Sequence, residues 1–321
     1  MNRRQFLEAM AVGLVAAPAL GSLPTGKLPT RTLGRTGIKV PILGFGSGSR
    51  FLMYKDEDKA IEALNRAIDL GITYIDTASS YGDGQSEERI GRVMATRRKE
   101  VTLSTKIFAR TADEGRRQIE LSLKRLRTDH LDVLHIHQLK GLEDLAAIEA
   151  RGGVLEALYE AREHKTARAV GITCHAEPAA LRIALERHDF DCTQMALNAG
   201  LARMADAPGG MKATLMGSSG FEGLALPVAT RKHMGVIAMK VFGQEQLIGA
   251  ASAEELLTYA LSLPVSLASV GMPRIEHIER NAVLARAFTP MPTRERRRLQ
   301  QSIESGRKLA MHQFFKTHED V

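Results

Sequence analysis

The 321-residue chain is predicted to be an α/β protein, a (β/α)8 TIM barrel with an N-terminal β-hairpin and a C-terminal helix. Three observations predict it. Eight short β-rich runs alternate with helix-like stretches. The runs are apolar along their whole length, as in strands buried on both faces of a parallel sheet. The eight units occupy about 240 residues, the usual size of a closed barrel. A doubly wound open sheet would want a G-x-G-x-x-G turn leading from its first strand into a helix. GFGSGSRF (44–51) matches poorly, because no helical pattern opens directly after it.

The elements follow in order. Residues 1–19 begin MNRRQFLEAM, with Arg3 and Arg4 ahead of Phe6 and Leu7, then an apolar stretch ending at Ala17-Pro18-Ala19. This has the form of a secretory signal of the twin-arginine type. The stretch is shorter than the roughly 20 residues that span a bilayer, so no stable membrane insertion of the mature chain is expected. The signal implies the twin-arginine export machinery as a partner and a periplasmic or exported destination, or the cytoplasm where the signal is inefficient. Residues 20–29 read as a linker and 30–321 as the barrel domain. TRTLGRTGIKVP (30–41) suits a short hairpin closing the barrel's bottom.

Strands are expected at 40–46, 72–76, 101–107, 131–137, 168–173, 190–198, 235–242 and 266–272. Each is followed by a helical pattern. DEDKAIEALNRAIDLG has apolar residues at 61, 64, 68 and 70 with Gly71 as its stop. SEERIGRVMA takes Ser86 as its N-cap, and Pro178 sits at a helix start, where a missing N–H costs little. EGRRQIELSLKRL, GVLEALYEAREH, LALPVATRKH, SAEELLTYALSL and RIEHIERNAVLARA supply the others, and 293–318 a final helix. Residues 198–223 form a long Gly- and Met-rich loop after the sixth strand, a kind of connection that is usually functional.

Composition excludes some functions. Apolar (44%) and charged (25%) fractions are those of an ordinary globular protein. The formal net charge is +7, but no long single-sign block or basic–aromatic patch accompanies it, and TRERRRL (293–299) reads as a solvated helix face; nucleic-acid binding is not expected. Cys174 and Cys192 fall at opposite ends of neighbouring strands, so both are expected as free thiols. No metal site is expected.

In such barrels the strands' carboxyl ends gather at one mouth. The second strand ends in Asp76, and Tyr81 follows in its loop; the third ends in Lys106 and the fourth in His137. Singly, Asp76 would serve as a helix cap and Tyr81 as a surface aromatic. A buried lysine is harder to dismiss, because lysine is seldom buried unpaired. Together the four make an acid–base site. A phenol titrates near pH 10, and a neighbouring ammonium lowers that value. A carboxylate keeps the ammonium charged, and a neutral imidazole holds a carbonyl oxygen beside the phenol. Hydride must then come from a nicotinamide, since no side chain supplies it. His135 is expected to point away from His137's side, packed under the helices.

GITYIDTASSYGDGQSEERIG, LSTKI and LDVLHIH resemble the aldo-keto reductase superfamily, in order and with spacing preserved over roughly 30–290. The resemblance implies that Asp76, Tyr81, Lys106 and His137 are the catalytic tetrad, with Tyr81 the general acid, and that NADP(H) lies extended across the barrel mouth. It places cofactor contacts at Gly46, Ser47 and Asp76, at Thr173 and Cys174 (where the family has Ser-Asn), at the amide-binding Gln194, and at Met239 and Lys240 after the seventh strand. Gly271 and Met272 stand where the family's 2′-phosphate Lys-Ser stands. His277 replaces its arginine, Asn281 matches, and Arg274 offers a substitute charge, so NAD(H) is also possible. The expected function is NAD(P)H-dependent reduction of an aldehyde or ketone, or the reverse. The alternative is a non-catalytic nucleotide-holding regulatory module of the same fold.

Overall fold

The computed structural model describes residues 26–205, 212–215 and 219–317. The expected signal, most of the linker, part of the 198–223 loop and the last four residues lie outside the described residues. Eight parallel strands close into a barrel in the order β3 (Leu43–Gly46), β4 (Tyr74–Asp76), β5 (Thr102–Ile107), β6 (Leu131–Ile136), β7 (Ala167–Cys174), β8 (Cys192–Ala196), β11 (Gly235–Met239) and β12 (Leu267–Gly271), which returns to β3. Helices α1 (Glu57–Asp69), α2 (Gln85–Arg97) and α3 (Ala112–Leu126) follow the first three strands. Then come α4 (Leu142–Glu149), α5 (Val154–Glu163), α6 (Pro178–Arg187), α7 (Phe221–Arg231), α8 (Ala253–Leu261), α9 (Ile275–Arg286) and α10 (Thr293–Thr317).

Local chemistry sets these boundaries. Asp56 caps α1 by accepting from the Lys59 amide at 3.1 Å, and Ser252 with Glu255 forms a complete capping box on α8. Gly71, at φ +89°, ends the α1 connection in a conformation that costs glycine little. Pro178 opens α6 as expected.

The hairpin pairs β1 (Thr30–Thr32) with β2 (Lys39–Pro41). Its Leu33, Ile38 and Val40 pack against Tyr74, Val133, Ala169, Cys192, Ile237 and Leu267, so it plugs the barrel floor. Gly34 sits at φ +52°, and a Cβ there would come 2.1 Å from the Gly235 amide nitrogen; only glycine permits this approach.

The floor residues fix the interior register. Side chains two residues apart on a strand share a face. Two residues beyond the floor residues stand Asp76, His135, Gly171, Gln194, Met239 and Ser269. The barrel floor therefore determines which side chains reach the mouth.

Four expectations are corrected. The run 40–46 is two elements: residues to Pro41 belong to the hairpin, and the barrel strand starts at Leu43. The β6–β7 connection holds two helices, α4 as well as α5. The loop after β8 contains an antiparallel pair, β9 (Ala202–Ala205) with β10 (Lys212–Leu215). Ser86 lies inside α2, whose N-cap is Gly84. Its hydroxyl turns inward, donating to the Ser47 carbonyl at 2.9 Å and sharing a 2.8 Å bond with Thr77 Oγ1.

Candidate active site

At the strands' carboxyl ends lies a cleft of about 560 Å³, lined by Gly46, Asp76, Tyr81, His137, His175, Gln194, Met239, Lys240, Phe242 and Gly271 among others. Asp76 and Lys106 are buried beneath it, 3% and 1% exposed. Lys106 Nζ donates to Asp76 Oδ1 at 2.8 Å and to the Thr77 carbonyl at 2.6 Å. The other carboxylate oxygen accepts from Gln194 Nε2 at 3.0 Å and from Ser269 Oγ at 3.5 Å. Both Asp76 oxygens are thus occupied, by groups from three other strands.

Tyr81 stands over this pair, with Lys106 Nζ 5.1 Å from its ring centroid. The ammonium acts on the phenol through its charge. The net effect differs from the sequence expectation. Lys106 does pull the Tyr81 pKa down, but desolvation of the hydroxyl is larger and Asp76 adds to it, so the phenol titrates above its ordinary value. Burial alone would lower Lys106; Asp76 and Tyr81 outweigh it and hold the ammonium charged.

The His137 ring meets Tyr81 edge-on, centroids 5.7 Å apart, and packs on Phe108 at 4.9 Å. Burial, then Lys106, drives its pKa well down, so the imidazole is neutral. The tetrad therefore converges at one rim.

The proposed cofactor residues divide. Gly46, Asp76, Gln194, Met239 and Lys240 line the cleft. A Cβ on Gly46 would come 3.2 Å from Ser269 Oγ, a close approach that keeps this wall open. Thr173 Oγ1 and Gln194 Oε1 are buried without a hydrogen-bond partner. Burial, then Arg50 and Lys106, brings Lys240 down to about 8. Ser47 instead spends its hydroxyl on the Asp76 carbonyl, at 2.8 Å. Cys174 is also turned away, donating to the Leu139 carbonyl at 3.3 Å and accepting from the Glu177 amide at 3.3 Å. The reason is parity: Thr173 faces inward, so Cys174 faces the helices. Arg274 and His277 pair with each other at 2.9 Å beside α9, and Asn281 is buried within α9.

His135 is corrected for the same reason. It shares the inward face with His137 and lies below it, 3.4 Å from Ser104 Oγ and 3.5 Å from Cys192 Sγ. Cys174 and Cys192 are free thiols. The sequence reading missed Ser269, His175 and Arg50, which pairs with Glu245 on the cleft wall at 3.3 Å. Alternation along SLASVGM would have found Ser269; Arg50 lies in a loop, where periodicity gives no signal.

A fold of this kind with an acid–base set at its mouth defines a class, and comparison with known proteins gives the family. Residues 42–208 match the family model described as "Aldo/keto reductase family", and the chain belongs to that family. It is 35% identical to aldo-keto reductase YhdN of Bacillus subtilis (strain 168) over 157 residues, 44% of this chain and 46% of that protein. It is 31% identical to L-galactose dehydrogenase of Arabidopsis thaliana over 159 residues, 46% and 49% of the two chains. The match thus spans about half the length of these relatives. The fold is shared with an aldo-keto reductase from Klebsiella pneumoniae solved with NADPH, at TM-score 0.68 and 22% identity, covering 86% of this chain and 95% of that one.

Proposed function

We propose that the protein is an NAD(P)H-dependent oxidoreductase that reduces an aldehyde or ketone to an alcohol, or runs the reverse reaction. The observation that carries this reading is the buried Lys106–Asp76 pair set under Tyr81 with His137 alongside. A buried ion pair is weak evidence for stability, because its desolvation offsets its attraction. One placed under a phenol at a cleft mouth has a use in proton transfer.

The residues present fit a nicotinamide cofactor. A carboxamide needs partners that both donate and accept, and Thr173 Oγ1 and Gln194 Oε1 are buried and unpartnered beside the cleft. Met239 offers a thioether to a ring edge. Lys240 and Arg50, on the cleft wall, would supply positive charge to phosphates, and Arg274, paired with His277 at 2.9 Å, is the charge offered to a 2′-phosphate. NADP(H) is the cofactor favoured, a reading in keeping with the NADPH-bound Klebsiella pneumoniae neighbour, and NAD(H) is the alternative. When bound, the nicotinamide supplies hydride. His137 orients the substrate carbonyl, neutral and therefore able to donate one N–H. Tyr81 Oη gives its proton to the oxygen as negative charge develops there, and Lys106 stabilises the resulting phenolate. Asp76 fixes the Lys106 ammonium. A non-catalytic nucleotide-holding module would need none of these proton-handling groups.

Tyr81→Phe tests the reading. NADPH consumption with small aldehydes should be lost, while NADPH still binds in a fluorescence titration. Turnover that survives in the variant would show that another group is the acid.

The proposal extends to location: export in the folded state, cofactor loaded, through the twin-arginine route. Replacing Arg3 and Arg4 with lysine should retain the protein in the cytoplasmic fraction, and unchanged fractionation would remove this part.

A further inference from the structure

We infer that Arg125, on α3 and outside the cleft, is a positioning residue for Tyr81: its guanidinium clamps the loop that carries the phenol and fixes that loop relative to Lys106. The inference rests on the proposed function, in which Tyr81 is the general acid, and adds to it a residue that touches neither substrate nor cofactor.

Tyr81 lies between β4 and α2, in residues 77–84. The segment's own hydrogen bonds close short turns. The Tyr81 amide donates to the Ala78 carbonyl at 3.1 Å, and the Asp83 amide to the Ser80 carbonyl at 3.3 Å. Asp83 sits at φ +54°, a left-handed conformation that residues with a side chain adopt sparingly. Such a conformation persists where its surroundings hold it. From β5, the Lys106 carbonyl accepts the Ser79 amide at 3.0 Å. From α3, Arg125 Nη1 donates to the Ser79 carbonyl and Nη2 to the Asp83 carbonyl, each at 3.2 Å. Tyr81 thus lies in sequence midway between two carbonyls held by one side chain.

The neighbours of Arg125 are shaped for this approach. A Cβ at Gly84, the N-cap of α2, would come 2.5 Å from Arg125 Nη1, and one at Gly91 would overlap the Arg125 carbonyl oxygen. Glycine at both positions lets α2 and α3 close until the guanidinium reaches the loop. Glu87 of α2 is fully buried, with Oε2 at 3.6 Å from Arg125 Nη1 and Oε1 accepting from Thr105 Oγ1 at 2.7 Å. Thr105 immediately precedes Lys106. A chain of contacts therefore runs from the strand that carries the ammonium, through Glu87 and Arg125, to the loop that carries the phenol. A planar guanidinium holds two carbonyls in set directions, whereas an ammonium is a point charge on a flexible stem. The phenol must stand within hydrogen-bond reach of the oxygen it protonates. A misplacement of about 1 Å, even from a remote change, costs about 10²-fold in rate.

The test compares full-length wild type, Arg125→Lys, Glu87→Gln and Tyr81→Phe. NADPH consumption with propanal and benzaldehyde gives kcat and KM. NADPH fluorescence titration gives affinity and the number of sites per chain, and amide hydrogen exchange read by mass spectrometry follows residues 77–84. In Arg125→Lys, kcat should fall by about 10²-fold while KM and NADPH affinity stay within about twofold of wild type. The number of NADPH sites should be unchanged, and exchange in 77–84 faster. Glu87→Gln, which loosens the clamp from its other end, should repeat the pattern to a smaller degree, and it carries the test alone where Arg125→Lys does not fold. Loss of NADPH sites in step with kcat in both variants marks a merely structural role and overturns the assignment. So does a kcat within about twofold of wild type in folded Arg125→Lys, or a lowered kcat with unchanged exchange in 77–84. Wild type that consumes no NADPH, or Tyr81→Phe that still turns over, is a distinct result: it removes the proposed function, and this inference with it.

Discussion

Lys106→Met leaves the Asp76 carboxyl group 3% exposed and without its cation. What remains is Gln194 Nε2 at 3.0 Å and Ser269 Oγ at 3.5 Å. Two neutral donors do not replace an ammonium at 2.8 Å. The Thr77 carbonyl also loses its 2.6 Å donor. Removing one member of a buried pair costs about 3–5 kcal/mol, because the other charge stays buried. Domains of this kind are stable by about 5–15 kcal/mol, so the loss is large and measurable. The double variant Asp76→Leu/Lys106→Met removes both charges and should recover most of it, since apolar replacement of such pairs is often neutral. The assay is urea unfolding followed by circular dichroism on wild type, the single variant and the double variant. Both variants should be inactive, so stability and activity separate. A single variant within about 1 kcal/mol of wild type, or a double variant no more stable than the single, would refute the reasoning.

Two other outcomes are expected. Burial, with Lys106, brings His135 down to about 3, below its unfolded value near 6.5, so its contribution to stability is complete above about pH 6.5 and is lost as pH falls towards 3, at up to about 1.4 kcal/mol per pH unit. His135→Gln should make the acid limb of a stability–pH curve shallower by about one proton, and an unchanged slope would count against a buried neutral ring. With Lys240 at about 8, raising the pH through that value discharges a cation on the cleft wall. NADPH affinity should weaken through this range in wild type and be flatter in Lys240→Met, as read by fluorescence titration; identical pH profiles would remove Lys240 from phosphate binding.

Much of the site was legible because the barrel writes function into parity. Asp76, Lys106 and His137 interrupt apolar runs near strand ends, where an uncompensated polar group is costly. The same period of two exposes the errors. His135 shares a face with His137, so it belongs inside the barrel. Cys174 follows inward-facing Thr173, so it had to face the helices, whatever the family pattern suggested. What parity cannot reach lies in connections. Arg50, the α4 helix LEDLAAIE and the β9–β10 pair depend on tertiary packing, which overrides the weak local signals of short segments. The Tyr81 titration was misjudged in sign because the sequence names the ammonium but not the depth of burial.

The arrangement around Asp76 explains why a barrel suits this chemistry. One carboxylate oxygen is held by Lys106 of β5 and the other by Gln194 of β8 and Ser269 of β12. With both oxygens engaged, the carboxylate cannot rotate without breaking a bond to another strand. The ammonium is therefore fixed in direction as well as charge, and the phenol above it meets a constant field. Such pre-organisation is what lets fixed groups stabilise a developing charge without reorganising during the reaction. Gln194 joins two tasks in one side chain. Its amide nitrogen holds Asp76, while its Oε1 is buried without a hydrogen-bond partner. A hydrogen bond made at one end of a planar amide orients the other end. The bond that steadies Asp76 thus also fixes the direction of Gln194 Oε1.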